Sequence, residues 1–286
     1  MINRLPGAII RAVMVVLLIA TPSVLLPSLS HDAKQIVTLI AIFGAAFTIF
    51  EYASSYPGLV EFRDAPPFNR IRFLSLFLTV LLLTVICRGM AEPTTLTAFL
   101  TAIGGLIGYA VDFPYSPVRL VVLMLPEGSS PEHLSLVRTC AGMSYLISLL
   151  SLAWFLVTVR MRNWPTSHGS FNVWINLPTF DPTAGKDVVQ RLDRDARVNI
   201  ALGFMLPFLM PAAVKAASVL FGEITLSNPQ TLIWTVTAWA FLPASLFMRG
   251  IAMGRVARMI AAKREKAYAN AKIEGDVSLD RLPAHS

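Results

Sequence analysis

Charge is what this sequence has least of. Asp, Glu, Lys and Arg make up 14% of the 286 residues, hydrophobic residues make up 55%, and mean hydropathy is +0.63. An ordinary soluble domain is about 25% charged. A chain this poor in charge cannot cover a water-facing surface, which excludes a soluble globular protein. Disorder is excluded too, because it needs low hydrophobicity and high net charge. What remains is a membrane protein with several spans.

Cysteine and histidine are also scarce. Two cysteines, Cys87 and Cys140, exclude a disulfide framework and a cysteine-only zinc site. The four histidines, His31, His133, His168 and His285, are scattered, and none sits inside an apolar run. Haem in a helical bundle usually needs axial histidines within the spans, so a b-type cytochrome is not expected, and no other cofactor is called for. There is no H-E-x-x-H and no G-x-x-x-x-G-K-[ST], and the chain is too short to add a nucleotide domain to a pump. Gly142-Met143-Ser144 faintly resembles an intramembrane serine nucleophile, but no histidine lies in a span to activate it. His168-Gly169-Ser170 has no supporting motif and reads as ordinary surface.

Long apolar runs are what the sequence does have. A spanning helix needs roughly 20 mostly apolar residues. Six runs qualify: 8–26, 35–50 closed by Glu51, 71–87, 136–159, 198–221 and 231–248. Arg4 and Arg11 would make a basic n-region, so the first could be a signal peptide, yet Ala20-Thr21-Pro22-Ser23 is a poor cleavage site, and it is read as a retained span. A seventh stretch, 94–111, carries Gly104, Gly105 and Gly108 and breaks at Asp112-Phe113-Pro114. A second run at 120–125 is too short to span alone.

Net charge is +7, and its placement sets a topology. Cytoplasmic loops carry the excess of Lys and Arg. The tail after Met248 and the 160–197 loop are both basic, the 52–72 segment holds Arg63, Arg70 and Arg72, and Arg4 and Arg11 mark the N-terminal end of the first span. All of these are expected inside, with both termini. Of the 24 Lys and Arg, only Lys34, Arg88, Arg119 and Arg138 then lie in outer loops, with Lys215 inside a span. Region 94–125 must therefore cross an even number of times. It is either a re-entrant hairpin or two crossings with a short second one, and a seven-span form fails on charge. A buried break between Asp112 and Pro117 would need protein or a water-filled cavity around it. The plainer reading is a glycine-rich helix packed closely on a neighbour, with Asp112 at the water interface.

Three polar segments stand out. In 160–197, Asp181-Pro182 reads as an N-cap followed by a first helical residue. A charged helix over 187–198, with Asp187–Arg191 and Asp193–Arg197 pairs, should lead into the fifth strong span. Trp164, Phe171 and Trp174 suit the headgroup level or a docked partner. The 52–72 segment, which follows Glu51 at the end of the second span and holds Arg63, Asp64, Arg70 and Arg72, mixes apolar anchors with both signs of charge. It could clamp an anionic ligand, dock a partner or simply lie among lipid phosphates. The 249–286 tail reads as a basic amphipathic helix on the membrane surface, set apart from a 1–248 transmembrane domain. Orientation already explains its charge, so nucleic acid is not needed as a partner.

Lys215 is the clearest intramembrane ionisable residue, following Pro207 and Pro211. It could pair with Glu223 or Asp112, bind an anionic substrate, or snorkel outward. Cys87 and Cys140 fall near the same outer face. They could form a disulfide if their helices are neighbours, or be two separate buried thiols.

The expectation is an all-α polytopic bundle of six spans, eight if the glycine-rich region crosses twice. It is placed in a cell inner membrane with anionic headgroups around it and cytoplasmic termini. Two functions fit: a non-catalytic accessory, assembly or scaffold protein docking other membrane-protein subunits through cytoplasmic loops, or a small-solute or lipid transporter with a path near Lys215 and the Gly104–Pro117 break. Few intramembrane charges and no visible repeat favour the first. An enzyme comes third, because no nucleophile–base pair or metal constellation is visible.

Overall fold

The computed structural model describes the chain except for residues 1–3, 28–29, 162–163, 166–170, 182, 184, 186, 223–224 and 280–286, and except for the side chains of 221 and 273–279. The described residues are helical with no strand. In chain order the helices are α1 (Leu5–Leu25), α2 (His31–Ala53), α3 (Phe68–Ala91), α4 (Thr95–Val111), α5 (Pro117–Leu123), α6 (Pro131–Met161), α7 (Val173–Asn176), α8 (Val188–Phe221) and α9 (Pro229–Leu279). Six of them, α1, α2, α3, α6, α8 and α9, are long and apolar enough to cross a membrane, and α4 falls just short. The protein is a multi-pass helical membrane protein.

Local chemistry fixes where helices begin. The Ser30 side chain accepts from the Ala33 amide, Ser116 from Arg119, and Asp187 from Val189. Thr94 and Thr97 cap each other's amides reciprocally. Each satisfies a donor that a helix start leaves open. Asp187, six residues beyond Asp181, is the cap of α8, which corrects the reading of Asp181-Pro182 as the helix start. Asp181 instead accepts from the amide and hydroxyl of Thr183 at 2.8 and 2.6 Å, closing a side-chain turn. The Asp193–Arg197 pair forms at 2.7 Å. Asp187 pairs with Arg264 rather than Arg191, whose guanidinium lies over Phe180 and donates to the Asp181 carbonyl.

Two antiparallel hairpins, α1–α2 and α8–α9, flank a centre of α3 and α6; α6 also carries α4 and α5. Close approach of α8 and α9 depends on glycine. A Cβ on Gly203 would lie 2.7 Å from the Pro243 carbonyl oxygen, and one on Gly250 would lie 2.7 Å from that of Ala196. Pro211 has no N–H to give to the Pro207 carbonyl four residues earlier. The Trp239 indole on α9 donates to it instead, at 3.0 Å, so the proline that interrupts α8 also fixes its neighbour.

The glycine-rich region is a broken helix pair. A Cβ on Gly89 of α3 would touch Thr97, so α4 starts beside the end of α3. A Cβ on Gly108 would lie 2.8 Å from the Arg138 carbonyl oxygen, and one on Gly142 would strike the Gly108 backbone. The turn after α4 is tied to Arg138, about 10 Å along α6 from its start. The chain therefore enters beside α3 and returns to the end where α6 begins, with no helix of spanning length between.

Apolar side chains gather in two cores. One runs through the bundle around Leu83, Ile86, Val121, Cys140, Ile233 and Trp239. The other lies at one end and joins Phe62, Phe68, Phe155, Trp164, Leu177, Leu192 and Val256. The second core unites the three polar segments singled out above. No break separates bundle from tail: α9 continues through Met248, and Ala252, Met253, Val256 and Ala257 are buried in the second core. Beyond it, residues 261–272 are exposed on every side.

Candidate site at the junction of cap and bundle

The second core forms a cap, and polar contacts knit its parts together. The Phe62 amide donates to the Asn176 carbonyl at 2.7 Å, and the Asp64 amide to Asn176 Oδ1 at 3.0 Å. Trp164 Nε1 donates to the Ala65 carbonyl, and Arg255 Nε to that of Trp164. Glu61 receives Arg249 through two nitrogens at 2.6 and 2.7 Å, and Thr179 at 3.0 Å. A planar guanidinium gripping a carboxylate with two parallel bonds is the strong form of an ion pair. The Trp164 ring sits 5.6 Å from both Phe62 and Phe155. The Val189 amide and the Arg264 guanidinium hold the exposed Asp187 carboxyl below its ordinary range, at the point where the emerging α9 crosses the start of α8.

Glu51 and Arg63 build the turn after α2. Buried Glu51 accepts the amides of Gly58, Leu59 and Val60 at 3.0–3.1 Å. Arg63 donates to the carbonyls of Glu51, Ser54 and Ser55, the open acceptors at the end of α2. Asp64 takes Arg63 Nε at 3.2 Å and is half exposed. Arg70 is exposed at a cavity rim. Of the candidate residues, these four and their neighbours do come together.

Two cavities meet here, and Tyr52 and Asn69 line both. One, about 650 Å3, lies between α2, α3, α8 and α9; Arg72, Glu61 and Arg249 line its polar end and Phe47, Leu206, Met210 and Leu242 its apolar walls. The other, about 600 Å3, lies between α1, α2 and α3, with Arg11 and Arg70 on its rim. Arg11 stacks on the Tyr52 ring at 4.6 Å. Arg72 stands out among the described residues. Its Nη1 donates to Asn69 at 3.3 Å, its Nε is buried without a hydrogen-bond partner, and no carboxylate lies within ion-pair distance. The rings of Phe68 and Phe241 face it at 5.1 and 5.9 Å.

The other candidates lie elsewhere. Asp112, its side chain 5% exposed, accepts Arg138 at 2.7 Å and Arg119 at 3.2 Å, which fastens the α4–α5 turn to α6. Neither partner is Lys215. The Lys215 ammonium donates to the Leu125 carbonyl at 3.3 Å, tying α8 to the segment after α5. Its other suggested partner, Glu223, lies outside the described residues, as does His168. Cys87 on α3 and Cys140 on α6 are buried free thiols in the bundle core.

Glu61 and Asn176 were not singled out by the sequence. Glu61 was hidden as one more charge in a mixed segment, and Asn176 carried no signal beyond being polar between apolar neighbours. Among the described residues, no cluster of three or more His, Cys, Asp or Glu is arranged to hold a metal. No protein-family model, curated protein or solved structure matches the chain.

Proposed function

We propose that this is a multi-pass protein of a cell inner membrane, with the cap and both termini on the cytoplasmic side, acting without catalysis as an accessory or assembly protein for other membrane subunits. The observation that carries this reading is the cap itself. Three segments distant in sequence share one buried core and present a preformed face, from which the exposed basic stretch of α9 projects. A surface that is already ordered binds without the entropic cost of folding on contact. The orientation rests on the charge rule: the segments that meet at the cap hold most of the 24 Lys and Arg. The alternative path near Lys215 has less support. Gly104, Gly108 and Gly142 fill the α4–α6 contact, and both Asp112 and Lys215 hold protein partners.

Orientation is tested with single cysteines at two glycines that have nothing within 4 Å, Gly128 and Gly185. An impermeant maleimide should label Gly128→Cys in intact cells and Gly185→Cys only after permeabilisation; the reverse pattern overturns the topology. The role is tested by affinity purification from native membrane. A stoichiometric partner is expected, lost when Lys263 and Lys266 on the exposed part of α9 are changed to Glu. Absence of any such partner, or solute flux into proteoliposomes that disappears with Lys215→Ala, would sink the accessory reading.

A further inference from the structure

α2 packs on α1 alone among the helices, which leaves a groove between α2 and the α8–α9 hairpin. Away from the cap it is a cavity of about 470 Å3 flanked by Val37 and Trp234. At the cap a second cavity, of about 650 Å3, lies over Leu206, Met210 and Leu242. Their linings on α9 run from Gln230 to Trp234 and from Leu242 to Arg249, with about 12 Å of helix between the two sets. The walls of the cavity at the cap are apolar, and Phe47 and Leu242 in them are exposed on the helical surface, where lipid would lie.

Its polar end is short of negative charge. Glu61, the one carboxylate lining that cavity, is held by Arg249 and Thr179. Arg72 keeps a buried, unpartnered Nε, and the adjoining cavity adds Arg11 and Arg70 with no carboxylate in its lining. A guanidinium withdrawn from water is costly unless an anion meets it. The two phenylalanine rings offset only part of that cost. A planar fork of donors fits the oxygens of a phosphate, and the apolar walls fit the chains that a phospholipid phosphate carries. An inorganic anion would leave those walls empty.

We propose that this groove is a binding site for an anionic phospholipid, its headgroup phosphate on Arg72 beside Tyr52 and Asn69 and its acyl chains along Phe47, Leu206, Met210 and Leu242. The site depends on the protein's lying in a membrane and not on its having a protein partner, so the two proposals fail separately. It differs from general attraction of basic residues to anionic lipid because it requires one half-buried arginine with a buried, unpartnered Nε and one shaped groove.

The full-length protein, purified in detergent, is titrated with phosphatidylglycerol, phosphatidylcholine or inorganic phosphate, and bound lipid is read by native mass spectrometry, with size exclusion as the check on folding. Phosphatidylglycerol should bind in preference to phosphatidylcholine and survive washing. Arg72→Gln should weaken it by about tenfold or more, the loss of one charge-assisted contact. Leu242→Trp fills the groove with Arg72 untouched and should weaken it comparably. Arg258→Gln, on exposed α9 surface, should change it by less than about twofold. Equal binding of both lipids overturns the proposal, as does equal loss with Arg258→Gln. Inorganic phosphate that displaces the lipid completely at matched concentration also overturns it, because the acyl groove would then contribute nothing. If Arg72→Gln does not fold, Leu242→Trp decides alone, and unchanged binding there refutes the site.

Discussion

Replacing Trp164 with Ala probes whether the cap is one cooperative body. The ring is 1% exposed, packs tilted against Phe62 and edge-on against Phe155, and closes a hydrogen bond to Ala65 on a segment about a hundred residues earlier. Large-to-small changes at such positions cost about 3–5 kcal/mol. Since tenfold in an equilibrium corresponds to about 1.4 kcal/mol, even the lower figure raises the population of the opened cap by roughly a hundredfold. Trp164→Phe keeps most of the ring contact and loses the indole donor, for about 1 kcal/mol. Hydrogen exchange read by mass spectrometry separates these outcomes. In the alanine variant, protection should fall together in 58–66 and 171–180, while the α3 and α6 spans stay protected. If protection fell only beside residue 164 and 58–66 kept its native rate, the segments would be independent loops and the argument for a preformed face would collapse.

Three further outcomes follow from the geometry. Gly108→Val drives a side chain into the Arg138 carbonyl and should destabilise by about 1–3 kcal/mol or more, seen as a lower thermal midpoint; Gly128→Ala, with open space around it, should stay within about 0.5 kcal/mol of the native protein. Asp112→Asn leaves Arg138 and Arg119 without a counter-charge. Both arginines are partly exposed, so the loss should be about 1–3 kcal/mol rather than the full cost of a buried pair, and proteolysis should become faster at 112–116. In the native fold, Cys87 and Cys140 should resist alkylation, and after denaturation without reductant both should react. Failure of the denatured chain to take up two alkyl groups would mean that the thiols are bonded in the cell.

Much of the architecture was legible because apolar run length and charge placement are local properties. Six runs predicted six long helices, and Glu51, Arg88 and Arg160 fell within the last turns of α2, α3 and α6. The expected break in 94–125 is there: the region is a helix pair, α4 and α5, with no helix of spanning length in it. Helix starts were harder to read. Asp181 and Asp187 are equally good caps by type, and the start falls at Asp187, whose carboxylate is also placed to meet Arg264 on α9. The candidate site was half visible. Arg63, Arg70 and Arg72 stood out as a basic group in an unusual segment, yet their fates diverge completely: one staples a turn, one is exposed, and one is half-buried beside a cavity with its Nε unpartnered.

By itself the sequence determined that this chain lives in a bilayer, how many times it is long enough to cross, and which segments carry the basic charge. Each of these depends on composition counted along a line. Tertiary structure decided what the polar segments do. Whether Phe62, Trp164 and Leu177 face lipid, a partner or one another is a question of which surfaces meet, and they meet one another. It likewise decided that Glu61 serves Arg249 and leaves Arg72 without a carboxylate, because one acid and two arginines are brought together from α3, α9 and the turn between α2 and α3. Pairing among charges distant in sequence is set by the geometry of packing, and no linear pattern carries it.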